Sequence, residues 1–366
     1  MKILQLTYTL SSGGGERFVV DLSNELSKHD EIVLVQIVSN ENEDMAHYLG
    51  DVAKSVKYIN LNCKSGLSNE VFYRVYKTIK AEKPDLVHIH CGLFAAILAV
   101  LFYKKTKYVH TLHSLAHRCL YEDSKYLKPI YRFLYKKTVK PITISNACNQ
   151  SFVDLYGINT SVRINNGRSP IMTTNAKEIV KREIDSYKEH EDDKTFIHVA
   201  RYHSVKNQIL LFNTFERLQN EGEHVLLIVI GNGYSESPLK EYCNRKNGIL
   251  LLGEKKNVGD YLAASDYFIM SSLMEGLPIS LLEAMSLGVI PISTPAGGVC
   301  DVIRNGENGY ISYNHEPEVF YNTVKQAIEN KEEVTSAVIK EEFAQSYSMK
   351  TCAQNYYAQY KTLLAK

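Results

Sequence analysis

The sequence predicts an α/β protein made of two successive halves, each a parallel sheet wound by helices on both faces. Three observations carry this reading. Short runs of Val, Ile and Leu alternate with amphipathic helical segments along most of the 366 residues, the pattern of strands buried on both faces. The alternation stops at 174–194, TNAKEIVKREIDSYKEHEDDK, where charge dominates and no strand is legible, and then restarts. Glycine-rich turns follow strands in both halves, at 13–15 and 231–233, and loops at the carboxyl ends of parallel strands are where such folds bind ligands.

In the first half, ILQLTY (3–8), IVLVQIV (32–38), LVHIH (86–90), YVHTLH (108–113) and PITIS (141–145) read as strands, with helices near 15–28, 69–82 and 93–103. In the second, FIHVA (196–200), VLLIVIG (225–231), ILLLG (249–253), YFIMSS (267–272), VIPIS (289–293) and the short GYIS (309–312) read as strands, with helices near 206–220, 236–245 and 257–264. The tail from about 316 is helical, with Pro317 suited to a first turn. Two Rossmann-like domains are expected at 1–173 and 195–345, with 174–194 as the connection.

Hydrophobic residues make up 45% and charged residues 23% of the chain, the proportions of a globular protein. Lys+Arg number 42 against 41 Asp+Glu, so no global field points to nucleic acid. Seven scattered cysteines without a CxxC pair read as reduced thiols of a cytoplasmic protein, with neither a disulfide framework nor a zinc site. MKILQLTYTL is a short strand rather than a signal peptide, and the longest apolar run, 91–103, has 13 residues, short of the roughly 20 a spanning helix needs. Between Lys104 and Lys140 ten Lys/Arg face two acids, Glu122 and Asp123, with Tyr126, Tyr131, Phe133 and Tyr135 interleaved. That composition suits peripheral contact with an anionic membrane, here the inner face of the plasma membrane.

The densest chemistry lies in SSLMEGLPISLLEAMSLGVIPISTPAGG (271–298). Glu275 and Glu283 stand eight apart; Gly276, Leu277 and Pro278 form a turn, and Ile279, Leu281, Leu282 and Met285 begin a helix. Glu275 then precedes the helix and Glu283 lies inside it, so both can face a ligand at its N-terminus, where free N–H groups attract anions and polar oxygens. This segment resembles the Glu-x7-Glu signature of retaining glycosyltransferases of the GT-B fold, specifically family 4. The resemblance covers nearly the whole chain. It implies two Rossmann-like domains with a cleft between them, the first binding an acceptor and the second a nucleotide-sugar. It also implies a last helix, about 346–366, that packs back on the first domain.

By the same resemblance Glu283 holds the ribose hydroxyls, as a carboxylate can accept two hydrogen bonds from a vicinal diol, and Glu275 faces the transferred sugar. The backbone at Gly276, Leu277, Pro278, Ile279, Gly297 and Gly298 lies near sugar or phosphates. HVARYHSVKNQ (198–208) sets Arg201 and Lys206 five apart and matches the family's basic pair; two fixed cations can meet the charge of a leaving diphosphate. SSGGGERFVVDLSNEL (11–26) opens a helix, and Gly13, Gly14, Gly15, Glu16 and Arg17 resemble the family loop beside diphosphate and acceptor. Gly231 and Gly233 of VIGNGY are similar to the turn that approaches the nucleotide, and Asn257 and Val258 of LLGEKKNV to the segment flanking the base. His113 matches the strand-terminal histidine that points to the donor sugar, and Ser145 of ITISNACNQSF matches a further family segment. His88 and His90, alternating in LVHIH, either line the acceptor cleft or hold the fold. Two departures stand out: Arg168-Ser169-Pro170 follows INNG where many members carry an aliphatic residue and Asp, and Asp301 replaces a common Glu.

The chain has no D-x-D motif and no His/Cys cluster at metal-ligand spacing, so neither metal nor cofactor is expected. The expected activity is a retaining, metal-independent transfer of a hexosyl or N-acetylhexosaminyl group. The donor would be a UDP- or GDP-sugar and the acceptor a saccharide or lipid-linked saccharide, in capsule, exopolysaccharide or lipopolysaccharide synthesis. Two alternatives belong to other classes: a nucleotide-sugar-binding protein without catalysis, and a Rossmann oxidoreductase. Against the latter stand an incomplete glycine fingerprint and Val38-Ser39-Asn40 where an acidic strand end would lie.

Overall fold

The computed structural model describes residues 1–40, 43–64, 68–119, 127–244, 248–330 and 333–365. The chain divides into two units, Met1–Ser169 with Ser346–Lys366, and Pro170–Gln345.

The first unit holds a parallel sheet of β1 (Lys2–Thr7), β2 (Glu31–Val38), β3 (Lys57–Cys63), β4 (Leu86–Ile89), β5 (Lys107–Leu112), β6 (Val139–Thr143) and β7 (Val162–Arg163), in the order β3-β2-β1-β4-β5-β6-β7. Central β1 pairs with β2 from Lys2↔Glu31 and with β4 from Ile3↔Leu86. The winding reverses between β1 and β4, so the loops that follow them open side by side. The crossovers carry α1 (Gly14–Leu26), α2 (Asn69–Glu82), α3 (Ile97–Phe102), α4 (Ala116–Cys119), α5 (Leu127–Lys137) and α6 (Asn146–Tyr156).

The second unit repeats the plan with β8 (Lys194–Val199), β9 (Val225–Ile230), β10 (Ile249–Gly253), β11 (Tyr267–Met270), β12 (Ile290–Ser293) and β13 (Tyr310–Ile311), ordered β10-β9-β8-β11-β12-β13. Its helices are α7 (Lys177–Asp185), α8 (Gln208–Asn220), α9 (Val258–Ala263), α10 (Ile279–Leu287), α11 (Pro317–Glu329) and α12 (Ser336–Glu342). Every residue of β9 is buried, as two-sided coverage requires. Here the winding reverses between β8 and β11.

The chain ends in α13 (Met349–Leu364), which packs on α1 within the first unit. Its buried residues Met349, Cys352, Ala353, Tyr356 and Tyr360 recur at helical spacing and form one face. The Ser348 hydroxyl caps its start by accepting from the Thr351 N–H.

Several elements differ from those read in the sequence. The segment 174–194 holds α7, which packs on α9 and buries Val180 and Ile184 in the second unit; a stripe of two apolar residues is too narrow to read amid so much charge. The helix expected at 93–103 is interrupted: Leu93–Ala96 is a 3-10 turn before α3, the break falling at Ala96 with φ −98° and ψ 10°. The helix expected near 236–245 is a 3-10 turn at Lys240–Asn244, entered through Ser237, whose hydroxyl donates to the Tyr234 carbonyl and accepts from the Leu239 N–H; residue 245 lies outside the described residues. β3 was not read as a strand because it is a partly exposed edge whose apolar residues are interrupted by Asn60 and Asn62.

Arg168, one of the departures noted above, stitches the first unit together. Its N–H donates to the Tyr347 carbonyl and its carbonyl accepts from the Met349 N–H, each at 2.9 Å. Its buried guanidinium donates to Asp21 of α1. The same carboxylate accepts from Arg17 at 2.7 Å and from the Ser169 N–H at 3.3 Å. Burying a carboxylate is tolerated only with such full pairing.

Candidate functional site

In the second unit the loops after β8 and β11 meet where the winding reverses. The loop after β8 is fixed first. Gln208, buried at the start of α8, donates to the Arg201 carbonyl at 3.0 Å, and the Tyr202 N–H donates to the Asn232 carbonyl at 2.8 Å. Gly231 has φ +148°, and a Cβ there would stand 2.1 Å from the Ala200 carbonyl oxygen; only glycine permits this approach. The Ser271 hydroxyl, beyond β11, binds the Lys206 and Asn207 carbonyls at 3.0 and 2.9 Å.

These constraints deliver one ion pair. Lys206 Nζ donates to Glu275 Oε1 at 2.7 Å, and the Ser272 hydroxyl donates to the same oxygen at 2.7 Å. The glutamate side chain is 11% exposed and the lysine 27%, so solvent screens the pair only in part. The loop after β12 closes against it: the Gly298 N–H donates to the Glu275 carbonyl at 3.3 Å. Gly297, at φ +56°, would drive a Cβ to 2.2 Å from that carbonyl oxygen.

Thus Lys206, Glu275, Gly297 and Gly298 come together, and Gly231 lies against the Ala200–Arg201 backbone. Lys206, expected to stand with Arg201 toward a diphosphate, is engaged by Glu275. Arg201 is exposed and makes no ion pair among the described residues. Gly276 and Leu277 lead to Pro278, which precedes Ile279, the first residue of α10; Glu283 lies one turn further in, half-buried. Gly233 faces Tyr202. Asn257 precedes Val258 at the start of α9, and its amide donates to the buried Asp260 at 2.9 Å. Ser272 was missed in the sequence, where a serine before a glutamate carries no signal.

In the first unit Gly13 caps α1, with Gly14 and Gly15 in its first turn. The Glu16 carboxylate folds back on this turn, where a Cβ on Gly13 would meet it at 2.2 Å. Gly15 lies against His113. His113 Nε2 pairs with His90 Nδ1 at 3.0 Å, and His90 Nε2 with Gln5 Oε1 at 2.6 Å. Beside them His88 joins Tyr360 of α13 at 2.6 Å and Thr111 at 2.7 Å. A cavity of about 280 Å³ is lined by Tyr8, His90, His110, His113 and Arg118, among others. Ser145 is fully buried and caps α6 by accepting from the Cys148 N–H, which gives it a structural task. Gln5, Tyr356 and Tyr360 were also missed; a lone glutamine inside the apolar run ILQLTY was the available signal.

Burial disfavours charge on all four histidines of this cluster. It pushes His113 down to about 3 and His110 to about 4, and holds His88 and His90 well below the usual range, with the neighbouring histidines adding to the effect.

Among the described residues one group, Asp192, Asp193 and His224, brings metal-ligand atoms within 4.8 Å of one another. Spacing in the sequence hid it, because Asp193 precedes β8 and His224 precedes β9. It sits at the amino ends of those strands, away from the ion pair. Cys63, Cys91, Cys119, Cys148, Cys300 and Cys352 are free.

Two family models match the chain: Glycosyltransferase Family 4 over residues 12–169 and Glycosyl transferases group 1 over residues 180–342. N-acetyl-alpha-D-glucosaminyl L-malate synthase of Bacillus anthracis is 26% identical over 65% of this chain and 64% of its own length; the match thus spans just under two thirds of that relative. UDP-Gal:alpha-D-GlcNAc-diphosphoundecaprenol alpha-1,3-galactosyltransferase of Escherichia coli is 24% identical over 81% of this chain and 80% of its own. Among solved structures, Anabaena Alr3699/HepE in complex with UDP-glucose superposes with a TM-score of 0.79, at 20% identity, over 99% of this chain and 100% of that one. That likeness shows the fold, the paired Rossmann-like units of GT-B.

The histidine cluster sets a pH dependence. In the unfolded chain histidine titrates near 6.5, whereas these four stay neutral far below that, so the unfolded state binds more protons as pH falls. Their contribution to stability is complete above about pH 6.5 and is lost as pH drops toward the folded values, by about 1.4 kcal/mol per pH unit for each histidine. Urea midpoints should therefore fall steeply between about pH 6.5 and 5. A flat profile would mean that the cluster takes up protons without unfolding.

Proposed function

The chain belongs to the group 1 glycosyltransferases of family 4, and we propose that it transfers a sugar, with retention and without a metal, from a nucleotide-sugar to a saccharide or lipid-linked saccharide. The observation that carries this reading is the Lys206–Glu275 pair, fixed at the carboxyl ends of β8 and β11 with Arg201 exposed on the same loop as the lysine. When the bond from sugar to diphosphate breaks, negative charge grows on the phosphate and positive charge on the sugar. Arg201 and Lys206 meet the first and Glu275 the second, in positions fixed before the reaction starts. Glu283 holds the ribose. Retention follows if the departing phosphate takes the acceptor proton on the face from which it leaves. We read the donor as a UDP- or GDP-sugar and the pathway as capsule, exopolysaccharide or lipopolysaccharide synthesis; the E. coli relative, named for a UDP-sugar donor and a diphosphoundecaprenol-linked acceptor, supports the UDP-sugar and the lipid-linked acceptor.

A donor screen read by nucleotide release tests this directly. At least one UDP- or GDP-sugar should be turned over at the same rate with and without EDTA. Binding without release would leave a nucleotide-sugar-binding protein. Loss on chelation, restored by Mg²⁺ or Mn²⁺, would overturn the roles of Arg201 and Lys206.

The two glutamates should separate kinetically. A ribose contact is equally strong in ground and transition states, so Glu283→Gln should raise the donor KM more than it lowers kcat. A carboxylate beside developing positive charge acts mainly in the transition state, so Glu275→Gln should lower kcat by about a hundredfold, roughly 3 kcal/mol. Calorimetric nucleotide binding should weaken in the first variant and hold in the second; the opposite order would reverse the two roles.

A lipid-linked acceptor would place the protein at the inner face of the plasma membrane, as a peripheral cytoplasmic enzyme. Among the described residues no helix is long and apolar enough to cross a membrane. The outer face of α5 carries exposed Ile130, Arg132, Phe133, Lys136 and Lys137, and Phe102 is 69% exposed. Glu122, Asp123, Lys125 and Tyr126 of the basic stretch lie outside the described residues. Near an anionic surface each basic residue contributes about 1 kcal/mol, so the protein should sediment with anionic vesicles and remain in solution with zwitterionic ones. Equal sedimentation with both would remove the membrane from the reading.

A further inference from the structure

His113 stands at the end of a hydrogen-bonded line that decides which of its nitrogens carries the proton. Gln5 presents Oε1, which can only accept, to His90 Nε2 at 2.6 Å. His90 Nε2 therefore carries the proton. His90 is neutral at neutral pH, and a neutral imidazole has one N–H, so His90 Nδ1 is a bare lone pair. The partner of that lone pair, His113 Nε2 at 3.0 Å, must then be the donor. His113 is neutral too, which leaves its Nδ1 unprotonated.

That Nδ1 is shut from solvent and has no hydrogen-bond partner. Every other ring nitrogen of the cluster is engaged: those of His88 by Tyr360 and Thr111, those of His90 by Gln5 and His113, and those of His110 by Tyr135 and the Cys91 backbone. A buried acceptor left unpaired costs about 1–3 kcal/mol, and among the ring nitrogens of this cluster His113 Nδ1 alone bears that cost. Its ring lines the 280 Å³ cavity, with Phe18 edge-on at 5.2 Å and Gly15 alongside holding the ring in place.

We propose that Gln5 and His90 are positioning residues that hold His113 as its Nε2–H tautomer, so that Nδ1 accepts a hydrogen bond from a ligand hydroxyl. A sugar hydroxyl supplies such a donor; that identity rests on the glycosyltransferase reading, whereas the placement of the proton does not. The line also ties His113 to the end of the chain. Gln5 faces the Tyr360 phenol of α13 on its other side, short of a full hydrogen bond, and Tyr360 in turn holds His88.

Nitrogen-15 histidine spectra of the ligand-free protein near neutral pH test the assignment without any need for activity. His113 signals are identified by their loss in His113→Asn. The wild type should show a protonated Nε2 and a bare Nδ1. Gln5→Met, similar in volume but without the acceptor, should move His113 toward the other tautomer and lower kcat/KM for the donor by about tenfold. A proton on Nδ1 in the wild type would overturn the proposal. So would an unchanged tautomer in Gln5→Met, or a changed tautomer with unchanged kinetics. Should Gln5→Met fail to fold, the wild-type spectrum still decides the direction of the line. Should no donor turn over, the spectra still decide the proton placement, and the failure belongs to the functional reading alone.

Discussion

A parallel strand covered on both faces has nowhere to put a polar side chain except at its ends, and this constraint governs both units. β9 obeys it without exception. The chemistry of the second unit is accordingly pushed into the loops beyond β8, β11 and β12, where serine hydroxyls and glycine approaches give fixed positions to a chain no longer held by a ladder. Both units break the rule within strands, the second with Thr195 and His198 on β8 and the first more heavily, with Gln5, His88, His110 and Thr111. An unpaired polar group there would cost about as much as several good contacts return. Those of the first unit are therefore tied to one another and to tyrosines brought from outside the sheet. Tyr356 and Tyr360 come from α13, so the last helix is needed to make the sheet's interior chemically tolerable.

Two acidic anchors, one in each unit, are paired differently. Asp21 is deeply buried and saturated by Arg17, Arg168 and the Ser169 N–H. A carboxylate so fully paired is a fastener. It secures the chain where Arg168 also binds the backbone of Tyr347 and Met349, and this gives the unusual Arg168-Ser169-Pro170 a physical purpose. Glu275 is held on one oxygen by Lys206 and Ser272, and the pair keeps part of its surface open.

Strand runs, the two-part plan and the glutamate segment were legible because they depend on local pattern: unbroken Val/Ile/Leu runs, and Gly-Leu-Pro before an apolar stripe. Resemblance then placed Lys206 and Glu275 in a common site, but not in contact, since nothing local says that residues 69 apart in sequence form an ion pair. The same limit hid Gln5, whose partners lie 85 and more residues away. Edge strand β3 and helix α7 escaped for a different reason: each is only half-buried, so its polar residues blur the period that would announce it. At Ser145, a position singled out by resemblance, the hydroxyl caps a helix.

The contrast between the units is one of charge. The first gathers histidines whose burial keeps them neutral, and a neutral imidazole with a fixed tautomer offers direction: one nitrogen gives a proton and the other receives one. The second gathers Arg201, Lys206, Glu275 and Glu283, whose strength is monopole and whose aim is coarse. Sugar hydroxyls carry no net charge and differ from one another only in orientation, so they are told apart by directional hydrogen bonds. A diphosphate is recognised by counting charges. A neutral ring able to switch tautomer would lose its direction with no change in charge or shape. On the proposal above, a glutamine on β1, 85 residues from His90 in sequence, sets that direction for His113.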